Sequence, residues 1–600
     1  MMLDISKDKL KRYFGFDSFR KGQEEIISEI LKGRDVLGVL PTGGGKSICY
    51  QLPALMKDGL SLVISPLISL MKDQVDALRE DGIEARFINS SLDFESYKKS
   101  LRDARQGKIK LLYVSPERLE NEYFRGFLRD IKVSFVAVDE AHCISQRGHD
   151  FRPSYKLITD LYDILDRQVQ IAAFTATATK EVREDIISNL ALKDPFIKVT
   201  GFDRPNLKFI VRKPADKLEY ITTYLNDHEG DSGIIYASTR KRVDKLYRSL
   251  KTLGKKVVKY HAGLREEERK KAQEDFIFDK ADIVVATNAF GMGIDKSNVS
   301  FVIHSNMPKD MESYYQEAGR AGRDGEGADC ILLYRAQDII INKHLIKQSD
   351  NLDYRKIQLK KLQTIINYVN TNRCLRAFIL DYFGQDYDGA CDYCSNCLDD
   401  IKKEDNTIEA QKILSCIYRL GQRYGVGTVV DCLKGSKNKN SREKNLKDVS
   451  TYGIMKEKSQ AEIKDLIGVL LADGYIKVSG LEYPVLALTE KSKDILFSRV
   501  KFFSRKTEVK KRRENTKRLL LSDYDQALFE RLKEVRLELS RLRKIPPFII
   551  FSDQSLKDMA ENKPKNEEDF LKVKGVGEKK LSQYGDLFIA EIKEYMRKTE

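Results

Sequence analysis

One stretch decides the fold of this 600-residue chain: Pro41-Thr42-Gly43-Gly44-Gly45-Lys46-Ser47. It follows an apolar run at 36–40 that is typical of a buried strand, and it precedes residues 48–52, which can open a helix. Glycines let backbone N–H groups approach phosphate oxygens, and the helix N-terminus adds partial positive charge. Lys46 then reaches the outer phosphates, and the Ser47 hydroxyl binds Mg²⁺. The stretch predicts a nucleotide-binding loop between a strand and a helix.

The loop departs from the strict phosphate-loop pattern at its first position, where the pattern has Gly and this chain has Leu40. The alternative interpretation is a glycine-rich connection that binds nothing. A second segment favours nucleotide binding: the apolar run 133–138 reads as a central parallel strand and ends in Asp139-Glu140-Ala141-His142. Carboxylates at the end of such a strand lie where ligands bind in open α/β sheets. Asp139 can hold Mg²⁺, and Glu140 can orient and deprotonate the attacking water.

The composition narrows the class of protein. A chain of this length predicts about four domains. With 106 Lys and Arg against 91 Asp and Glu, the net charge is +15 and the pI is near 9.0, so nucleic acid is the expected partner. There is no run of 18 apolar residues and no signal-peptide core at the start, so we expect neither a membrane span nor export. Nine cysteines, an odd number, predict thiols or metal ligands rather than disulfides.

A candidate base-recognition element precedes the loop at Phe16, Arg20 and Gln23. A Gln amide can donate to and accept from the adenine edge, which guanine does not satisfy equally. Phe16 can stack on the base, and Arg20 can assist. The alternative is an amphipathic helix over 23–31 with Gln23 on its exposed face, and the residues alone favour that alternative.

Two more apolar strands, at 62–64 and 111–114, each end in Ser-Pro before a predicted helix. Proline fits the first helical turn, and the free N–H groups there suit a sugar-phosphate backbone. Ser-Pro is also a common neutral helix start, so each copy alone carries little weight.

Together these segments resemble the motifs of superfamily 2 helicases, and residues 140–155 narrow the resemblance to the RecQ family of DNA helicases. In that family an aromatic-rich loop at this place senses single-stranded DNA and signals to the ATP site. The loop positions that match are Gln146, His149, Phe151, Arg152 and Tyr155. Arg147 stands where the family commonly has Trp, and its guanidinium can stack on a base and pair with phosphate. We expect a more electrostatic DNA contact there. Residues 174–179 resemble the motif that couples hydrolysis to motion.

The next part of the chain predicts a second parallel α/β domain. Residues 202–207 resemble the family's entry to the second lobe. Strands are predicted at 233–236 and 283–287, and a helix opens at Ser238-Thr239-Arg240. The segment 288–296 resembles motif V, which contacts both DNA and nucleotide; its candidate nucleotide-binding residues are Gly291 and Asp295.

The sharpest signal in this part is Gln316-Glu317-Ala318-Gly319-Arg320-Ala321-Gly322-Arg323. Two Arg residues three apart are expected to share a helix face, and guanidinium charge across a cleft can stabilise the γ-phosphate in the transition state. An Arg pair on a solvated helix is the alternative. The resemblance implies that Arg323 is the arginine finger, that Arg320 is its companion, and that Gln316 and His142 belong to the catalytic site.

Four cysteines follow a predicted helix at 354–369: Cys374, Cys391, Cys394 and Cys397. Two overlapping C-x₂-C steps and a distant Cys supply four thiolates, which suit tetrahedral Zn²⁺. Structural cysteines clustered by chance are the alternative. Because all four ligands come from the protein, the predicted site is closed and structural. The remaining cysteines are expected to be isolated and buried: Cys49, Cys143, Cys330, Cys416 and Cys432.

The last third of the chain predicts nucleic-acid-handling modules. Helices at 413–424, from 425 and at 460–473, followed by a hairpin of 475–478 with 485–488, predict a winged helix, which fits the RecQ family. Only Tyr483 is an aromatic residue at the tip of this short wing, so strand splitting by the wing stays open.

Two further segments end the chain. The basic run at 499–518 is either a phosphate-binding segment or a solvated tether. A helix at 525–543, broken at Pro546-Pro547, precedes a predicted hairpin at 574–580 whose N–H groups can meet a phosphate. This tail resembles the HRDC domain, and its DNA binding is left open.

The resemblance implies an α/β protein with two RecA-like parallel-sheet lobes, a helical zinc-binding subdomain, a winged helix and a small all-α HRDC-like domain. The expected boundaries are 1–202, 203–343, 344–408, 409–498, a basic linker at 499–522, and 523–600. It implies an ATP-dependent DNA helicase that moves 3′→5′ in recombination, repair and the SOS response, with ATP, Mg²⁺ and Zn²⁺. The implied partners are single-stranded and duplex DNA, single-strand-binding protein and other repair proteins, in the cytoplasm with the nucleoid.

Two other functions compete with this interpretation. An RNA-dependent ATPase can also carry Asp-Glu-Ala-His, but the four cysteines, the winged helix and the HRDC-like tail count against it. A nucleic-acid anchor with a degenerate ATPase is disfavoured by intact Lys46, Asp139, Glu140 and Arg323.

Overall fold

The computed structural model describes residues 2–89, 92–148, 150–165, 169–291, 296–398, 403–480, 484–505, 524–543 and 545–599. His149, Asp295, Tyr483 and most of the basic run after residue 505 lie outside the described residues, so the predictions for them stay predictions. Among the helices that the structure describes, none is long and apolar enough to cross a membrane.

The first lobe is built on a parallel sheet of seven strands: β1 (Val36–Val39), β2 (Leu60–Ile64), β3 (Ala85–Ile88), β4 (Leu111–Val114), β5 (Val133–Val138), β6 (Ile171–Thr175) and β7 (Phe196–Val199). The order β3-β4-β2-β5-β6-β1-β7 places β5 and β1 on either side of β6. Strands β1, β2, β4 and β6 are buried throughout, because a separate hydrophobic cluster covers each face of the sheet. The phosphate loop after β1 and the carboxylates after β5 therefore open at the same edge.

Eight helices accompany this sheet: α1 (Met2–Lys9), α2 (Gln23–Leu31), α3 (Lys46–Met56), α4 (Ile68–Glu80), α5 (Phe94–Arg105), α6 (Glu122–Arg129), α7 (Asp160–Ile164) and α8 (Lys180–Asn189). The predicted helix over 23–31 is confirmed as α2, and α3 begins at the end of the glycine stretch. Both Ser-Pro sites are followed by helical turns, α4 after the first and a short 3₁₀ helix, Pro116–Glu120, after the second.

The second lobe has a parallel sheet of six strands: β8 (Leu207–Arg212), β9 (Gly233–Tyr236), β10 (Val257–Tyr260), β11 (Ile283–Ala286), β12 (Phe301–His304) and β13 (Ala328–Leu333). Its order is β10-β11-β9-β12-β13-β8. The helices are α9 (Lys217–Asp227), α10 (Arg240–Thr252), α11 (Glu266–Ile277) and α12 (Met311–Ala318). The Thr239 hydroxyl accepts from the Arg242 N–H and caps α10, as its position in the sequence predicts. Two parallel-sheet lobes confirm the predicted fold class.

Four helices follow the second lobe: α13 (Ala336–Lys347), α14 (Leu352–Asn370), α15 (Leu375–Tyr382) and α16 (Ser395–Leu398). One hydrophobic core runs from the first lobe through the second into these helices. Within it the ring of Phe383 lies 4.5 Å from that of Phe202 and 5.1 Å from that of Tyr315. Buried Arg376 donates to Asp203 at 2.5 Å and to two backbone carbonyls at the start of β8. The helical module is thus fastened to the second lobe.

The next module contains the predicted helices and hairpin. Its elements are β14 (Lys403–Asp405), α17 (Thr407–Arg419), α18 (Val426–Lys434), α19 (Lys439–Glu443), α20 (Gln460–Ala472), β15 (Ile476–Ser479), β16 (Val485–Leu488), α21 (Ser492–Leu496) and β17 (Phe503–Arg505). Strands β15 and β16 are antiparallel, and β14 pairs with β17. The prediction that the first helix continues to residue 424 is wrong. It ends at Arg419, because Gly421 (φ 66°) and Gln422 (φ 56°) turn the chain left-handed.

The C-terminal tail is all-α: α22 (Gln526–Arg543), α23 (Pro547–Ile550), α24 (Asp553–Asn562), α25 (Glu567–Phe570) and α26 (Glu578–Thr599). It has its own hydrophobic cluster and packs on the first lobe. The Gly575 N–H, in the predicted phosphate-binding hairpin, instead donates to the Gly15 carbonyl at 3.1 Å. The Tyr584 hydroxyl donates to Glu80 at 2.7 Å, and Lys557 pairs with Glu326 of the second lobe at 2.8 Å. The tail therefore bridges both lobes.

The attachment of the helical module to the second lobe can be tested at Arg376. We expect Arg376→Met to lower the free energy of unfolding by about 3 kcal/mol, because it leaves the Asp203 carboxylate and two carbonyls without their donor. The measurement is urea denaturation followed by circular dichroism. The matched control is Arg373→Met: Arg373 pairs with Asp381 at the surface, where the loss should stay under about 1 kcal/mol. Equal losses in both variants would contradict the buried anchor.

Candidate active site

The glycine loop between β1 and α3 has the shape of a phosphate cradle. Gly43 and Gly45 have φ of 78° and 77°, a region that favours glycine. A Cβ on Gly44 would stand 2.9 Å from the Pro41 carbonyl oxygen, and one on Gly45 would collide with the Gln23 amide. Lys46 opens α3, so the helix N-terminus and its free N–H groups face the loop. The loop thus fits a polyphosphate despite Leu40.

The carboxylates after β5 lie beside this loop. Lys46 Nζ is 3.8 Å from Glu140 Oε1, with both side chains mostly buried. Burial first, and then the Glu140 carboxylate, raises the pKa of Asp139 to about 7. A divalent cation held there would offset both effects, so this donor set fits Mg²⁺.

His142 is fully buried and links these carboxylates to the end of β6. Its Nδ1 lies 2.9 Å from the Thr175 Oγ1 and 3.4 Å from Glu140 Oε2. Thr175 belongs to the segment that resembles the coupling motif. His142 therefore lies close to both this segment and Glu140. Thr175 is thus connected to Glu140 through His142.

The two arginines of the second lobe do not share a helix face, and that prediction is wrong. Helix α12 ends at Ala318, and both arginines lie in the turns that follow, because Gly319 ends the helix and Gly322 adopts φ 58°. A Cβ on Gly291 would stand 3.1 Å from Arg320 Nη2, so Gly291 lies against that guanidinium. The Arg323 Cα is 3.8 Å from the position that a Cβ on Gly43 would occupy. The turn still faces the phosphate loop, and Gln316 is buried in α12 behind it.

Arg204 is a site residue whose role the sequence did not reveal. Its guanidinium donates to the Thr42 carbonyl at 2.6 Å, and to the carbonyls of Ala321 and Gly322 at 3.1 and 2.7 Å. It therefore connects the phosphate loop of one lobe to the arginine turn of the other. Apart from the Asn206 side chain, its acceptors are backbone carbonyls far away in the chain, and only its place in the family-like segment 202–207 singled it out.

Gln23 does not lie on an exposed helix face, so the alternative favoured by the residues alone is wrong. Its side chain is buried; Nε2 donates to the Gly45 carbonyl at 3.0 Å, and Oε1 accepts from the Arg20 N–H at 2.8 Å. The Arg20 guanidinium donates to the Gly43 carbonyl. Gln23 and Arg20 thus hold the phosphate loop directly, and Phe16, four residues before Arg20, is half-buried.

The segment 145–152 follows the carboxylates of Asp139 and Glu140 in the chain and includes exposed residues. Gln146 and Arg147 are exposed, and the Arg147 guanidinium is 3.7 Å from Asp185. Arg152 donates to Asp150 at 3.0 Å and to the Pro66 carbonyl at 2.9 Å, and Phe151 beside it is half-exposed.

Tyr155 closes this segment. It is fully buried, and its hydroxyl donates to the Asp139 carbonyl at 2.8 Å. The family-like loop is therefore connected to the end of β5, and through Arg152 to the first Ser-Pro turn.

The four predicted ligands come together: the Sγ atoms of Cys374, Cys391, Cys394 and Cys397 all lie within 4.8 Å of one another. Three of the separations are 3.5, 3.9 and 4.0 Å. A tetrahedral zinc with Zn–S bonds of about 2.3 Å needs sulfurs about 3.8 Å apart, so the cluster fits the ion. The other five cysteines are buried as predicted. Cys416 and Cys432 are close enough to perturb each other's pKa, so the prediction that they are isolated is wrong.

Comparison with known families accounts for most of the chain. Five descriptions match in order: DEAD/DEAH box helicase at residues 20–185, helicase conserved C-terminal domain at 216–325, RecQ zinc-binding at 336–398, RQC domain at 400–513 and HRDC domain at 525–592. Their order agrees with the order of modules in the structure.

Similar proteins cover the whole chain. It is 46% identical over 600 residues to the ATP-dependent DNA helicase RecQ of Bacillus subtilis, and that match covers 100% of both chains. It is 42% identical to the protein of the same name from Haemophilus influenzae, over 98% of this chain and 95% of that one. It is 31% identical to the RecQ-like DNA helicase blm-1 of Caenorhabditis elegans, over 99% of this chain and 66% of that one. The chain belongs to the RecQ family of ATP-dependent DNA helicases.

Proposed function

We propose that this helicase moves 3′→5′ on single-stranded DNA and separates duplex strands ahead of it, with one ATP hydrolysed in the cleft between the lobes at each step. The supporting observation is that the turn with Arg320 and Arg323 lies against the phosphate loop, so a nucleotide there touches both lobes. Because the cleft is shared, binding and hydrolysis change the contact between the lobes. The direction of movement rests on the family.

We assign each catalytic residue a role that its position around the cleft supports. Lys46 and the N–H groups of the phosphate loop bind the phosphates, while Ser47 and Asp139 hold Mg²⁺. Glu140 orients and deprotonates the attacking water. Arg323, with Arg320, neutralises charge on the γ-phosphate in the transition state.

Four further residues support this centre. His142 holds Glu140 against β6, Gln316 lies in the helix behind the arginine turn, and Asp295 completes the nucleotide site from motif V. Arg204 fixes the distance between the phosphate loop and the arginine turn.

DNA binds to the segment 145–152, to the motif V segment and to the winged helix. Gln146, Arg147, His149, Phe151 and Arg152 sense it. The net charge of +15 favours binding of the negatively charged DNA backbone. We place the protein with the nucleoid in the cytoplasm, where it acts in recombination, repair and the SOS response together with single-strand-binding protein and other repair proteins.

We propose the six-part division at 202, 343, 408, 498 and 522. The pairing of β14 with β17 joins residues 403–405 to residues 503–505, so the ends of the winged-helix module lie side by side and reach a few residues past the proposed boundaries at 408 and 498.

The direction and the substrate can be tested together. We expect ATP-driven strand displacement from DNA duplexes with a 3′ single-stranded tail, and little from duplexes with a 5′ tail or from the RNA versions. Glu140→Gln should bind ATP but hydrolyse it about 10²–10⁴ times more slowly, since it lacks the base. Displacement from 5′-tailed DNA alone would reverse the proposed direction, and faster displacement of RNA would favour the RNA-dependent alternative.

Nucleotide choice tests the base-recognition element. The parent protein should prefer ATP over GTP, and Gln23→Ala should reduce that preference about tenfold in kcat/KM, because the amide can satisfy adenine and not guanine. The matched control is Glu24→Ala, whose side chain pairs with Lys7 at the surface, 3.2 Å away. Equal kcat/KM for ATP and GTP in the parent protein would show that Gln23 only supports the loop.

Metal content tests the cysteine cluster. The purified protein should carry one Zn²⁺ per chain, and Cys394→Ser should lose the zinc and unfold at a lower temperature, because metal binding contributes folding free energy. Cys416→Ala removes a buried cysteine outside the cluster and should keep the zinc. Zinc analysis with thermal unfolding reads out both, and a folded, zinc-free parent protein would refute the site.

A further inference from the structure

Lys361, in the middle of α14, touches two parts of the molecule that have different tasks. Its Nζ donates to the Arg147 carbonyl at 2.6 Å and pairs with Glu312 Oε1 at 2.7 Å. The Lys361 and Glu312 side chains are 11% and 4% exposed, so water competes weakly for these bonds. Arg147 belongs to the loop of the first lobe, and Glu312 lies in the first turn of α12 in the second lobe.

On the second lobe, α14 and α12 are held as one body. The rings of Tyr368 and Tyr314 are 5.3 Å apart, both are fully buried, and their hydroxyls are 3.4 Å apart. Tyr382 of α15 also lies against Glu312: burial first, and then this carboxylate, raises its pKa well above the usual range. Two helices of the zinc module therefore contact the same glutamate, and Lys361 moves with α12.

On the first lobe, the Arg147 carbonyl belongs to a short hydrogen-bonded segment. The Arg147 N–H donates to the Ser145 hydroxyl at 3.1 Å, and that hydroxyl donates to Asp185 of α8 at 2.6 Å. Ser145 is fully buried, five residues after Glu140. A displacement of the exposed part of this loop therefore moves the carbonyl that Lys361 binds.

The far end of α12 leads into the catalytic site. The helix ends at Ala318, and Arg320 and Arg323 follow directly in the turn that faces the phosphate loop. A shift of the N-terminal turn of α12 is carried along the helix, because its interior residues are buried and closely packed.

We propose that Lys361 is a positioning residue that links DNA at the loop of the first lobe to the arginine turn of the second lobe. The helical zinc module is then a part of the coupling between DNA binding and ATP hydrolysis, in addition to stabilising the chain. This inference rests on the proposed function, in which the loop senses DNA. It assigns Lys361 no contact with nucleotide or DNA.

The first test is Lys361→Met, which keeps the length of the side chain and removes its charge and donors. At saturating single-stranded DNA, kcat for ATP should fall about tenfold, a coupling of ordinary size between two sites. The ATPase rate without DNA and the DNA concentration at half-maximal binding should stay as in the parent protein. Lys356→Met is the control on the same helix: its side chain is 57% exposed and pairs with Asp353 at the surface.

A charge exchange separates a relay from a simple ion pair. Combining Lys361→Glu with Glu312→Lys restores opposite charges between α14 and α12, but a carboxylate at 361 cannot donate to the Arg147 carbonyl. The exchange should recover the thermal midpoint lost by Lys361→Glu alone and leave DNA stimulation about tenfold low. Recovery of DNA stimulation by the exchange would overturn the proposal, because the ion pair alone would then suffice. Lys361→Arg, which can donate to both partners, should retain stimulation.

The outcomes also separate this inference from the proposed function. If DNA does not stimulate the ATPase of the parent protein, the proposed sensing role of the loop fails, and the relay fails with it. If DNA stimulates the parent protein and Lys361→Met equally, the relay alone is overturned and the loop keeps its role.

Discussion

The geometry of the cleft depends on the hydrogen bonds of Arg204. Its guanidinium is the donor that holds the phosphate loop of one sheet against the arginine turn of another. Burial, with Arg323 and Arg20 among the charges around it, lowers the pKa of Arg204, although an arginine in this range remains charged. The guanidinium groups of Arg204, Arg323 and Arg20 thus bring positive charge to the same cleft. A bound polyphosphate reduces the repulsion between these guanidinium groups. The positive charge around the cleft therefore contributes to the affinity for the nucleotide.

The same cleft is supported from outside by the continuous hydrophobic core. Phe202 enters the second lobe, Tyr315 lies in α12, and Phe383 follows α15, and all three are in ring contact. A zinc module that is part of the core of the motor cannot be displaced without exposing aromatic surface. The helices after the second lobe therefore support α12 by packing against it. The zinc site stabilises this helical module.

The sequence could predict those features whose chemistry is local. The phosphate loop, the strand before Asp139 and the cysteine cluster were found because adjacent residues carry both the structure and the ligand atoms. Features that depend on distant partners could not be found in the same way. Nothing in the order of residues around Gln23 shows that its amide meets the Gly45 carbonyl, and nothing around Arg204 shows which carbonyls it binds.

Glycines account for two of the errors in predicted helix ends. The helix over the two arginines was predicted from their spacing of three, but α12 ends at Ala318 and Gly322 takes φ 58° between the two arginines. The helix expected to reach residue 424 ends at Arg419, shortly before the left-handed Gly421. From the sequence alone, a glycine within a helical pattern allows the helix either to continue or to end. Tertiary contacts decide between these two outcomes.

The docking of the C-terminal tail brings it into contact with residues near Gly15, at the other end of the polypeptide. Gly15 has φ 69°, and the backbone of Val576 occupies the space that a Cβ would need, so the contact requires glycine on two counts. Around it the contacts are ionic, with Arg12 3.1 Å from Glu578 and Lys580 3.1 Å from Asp81. Counterions screen such pairs over about 10 Å at 0.1 M salt, and they also compete with protein for DNA phosphates. Added salt therefore weakens two interactions in this molecule, the docking of the tail and the binding of DNA. Only the second of these effects reports the number of contacts to DNA phosphates.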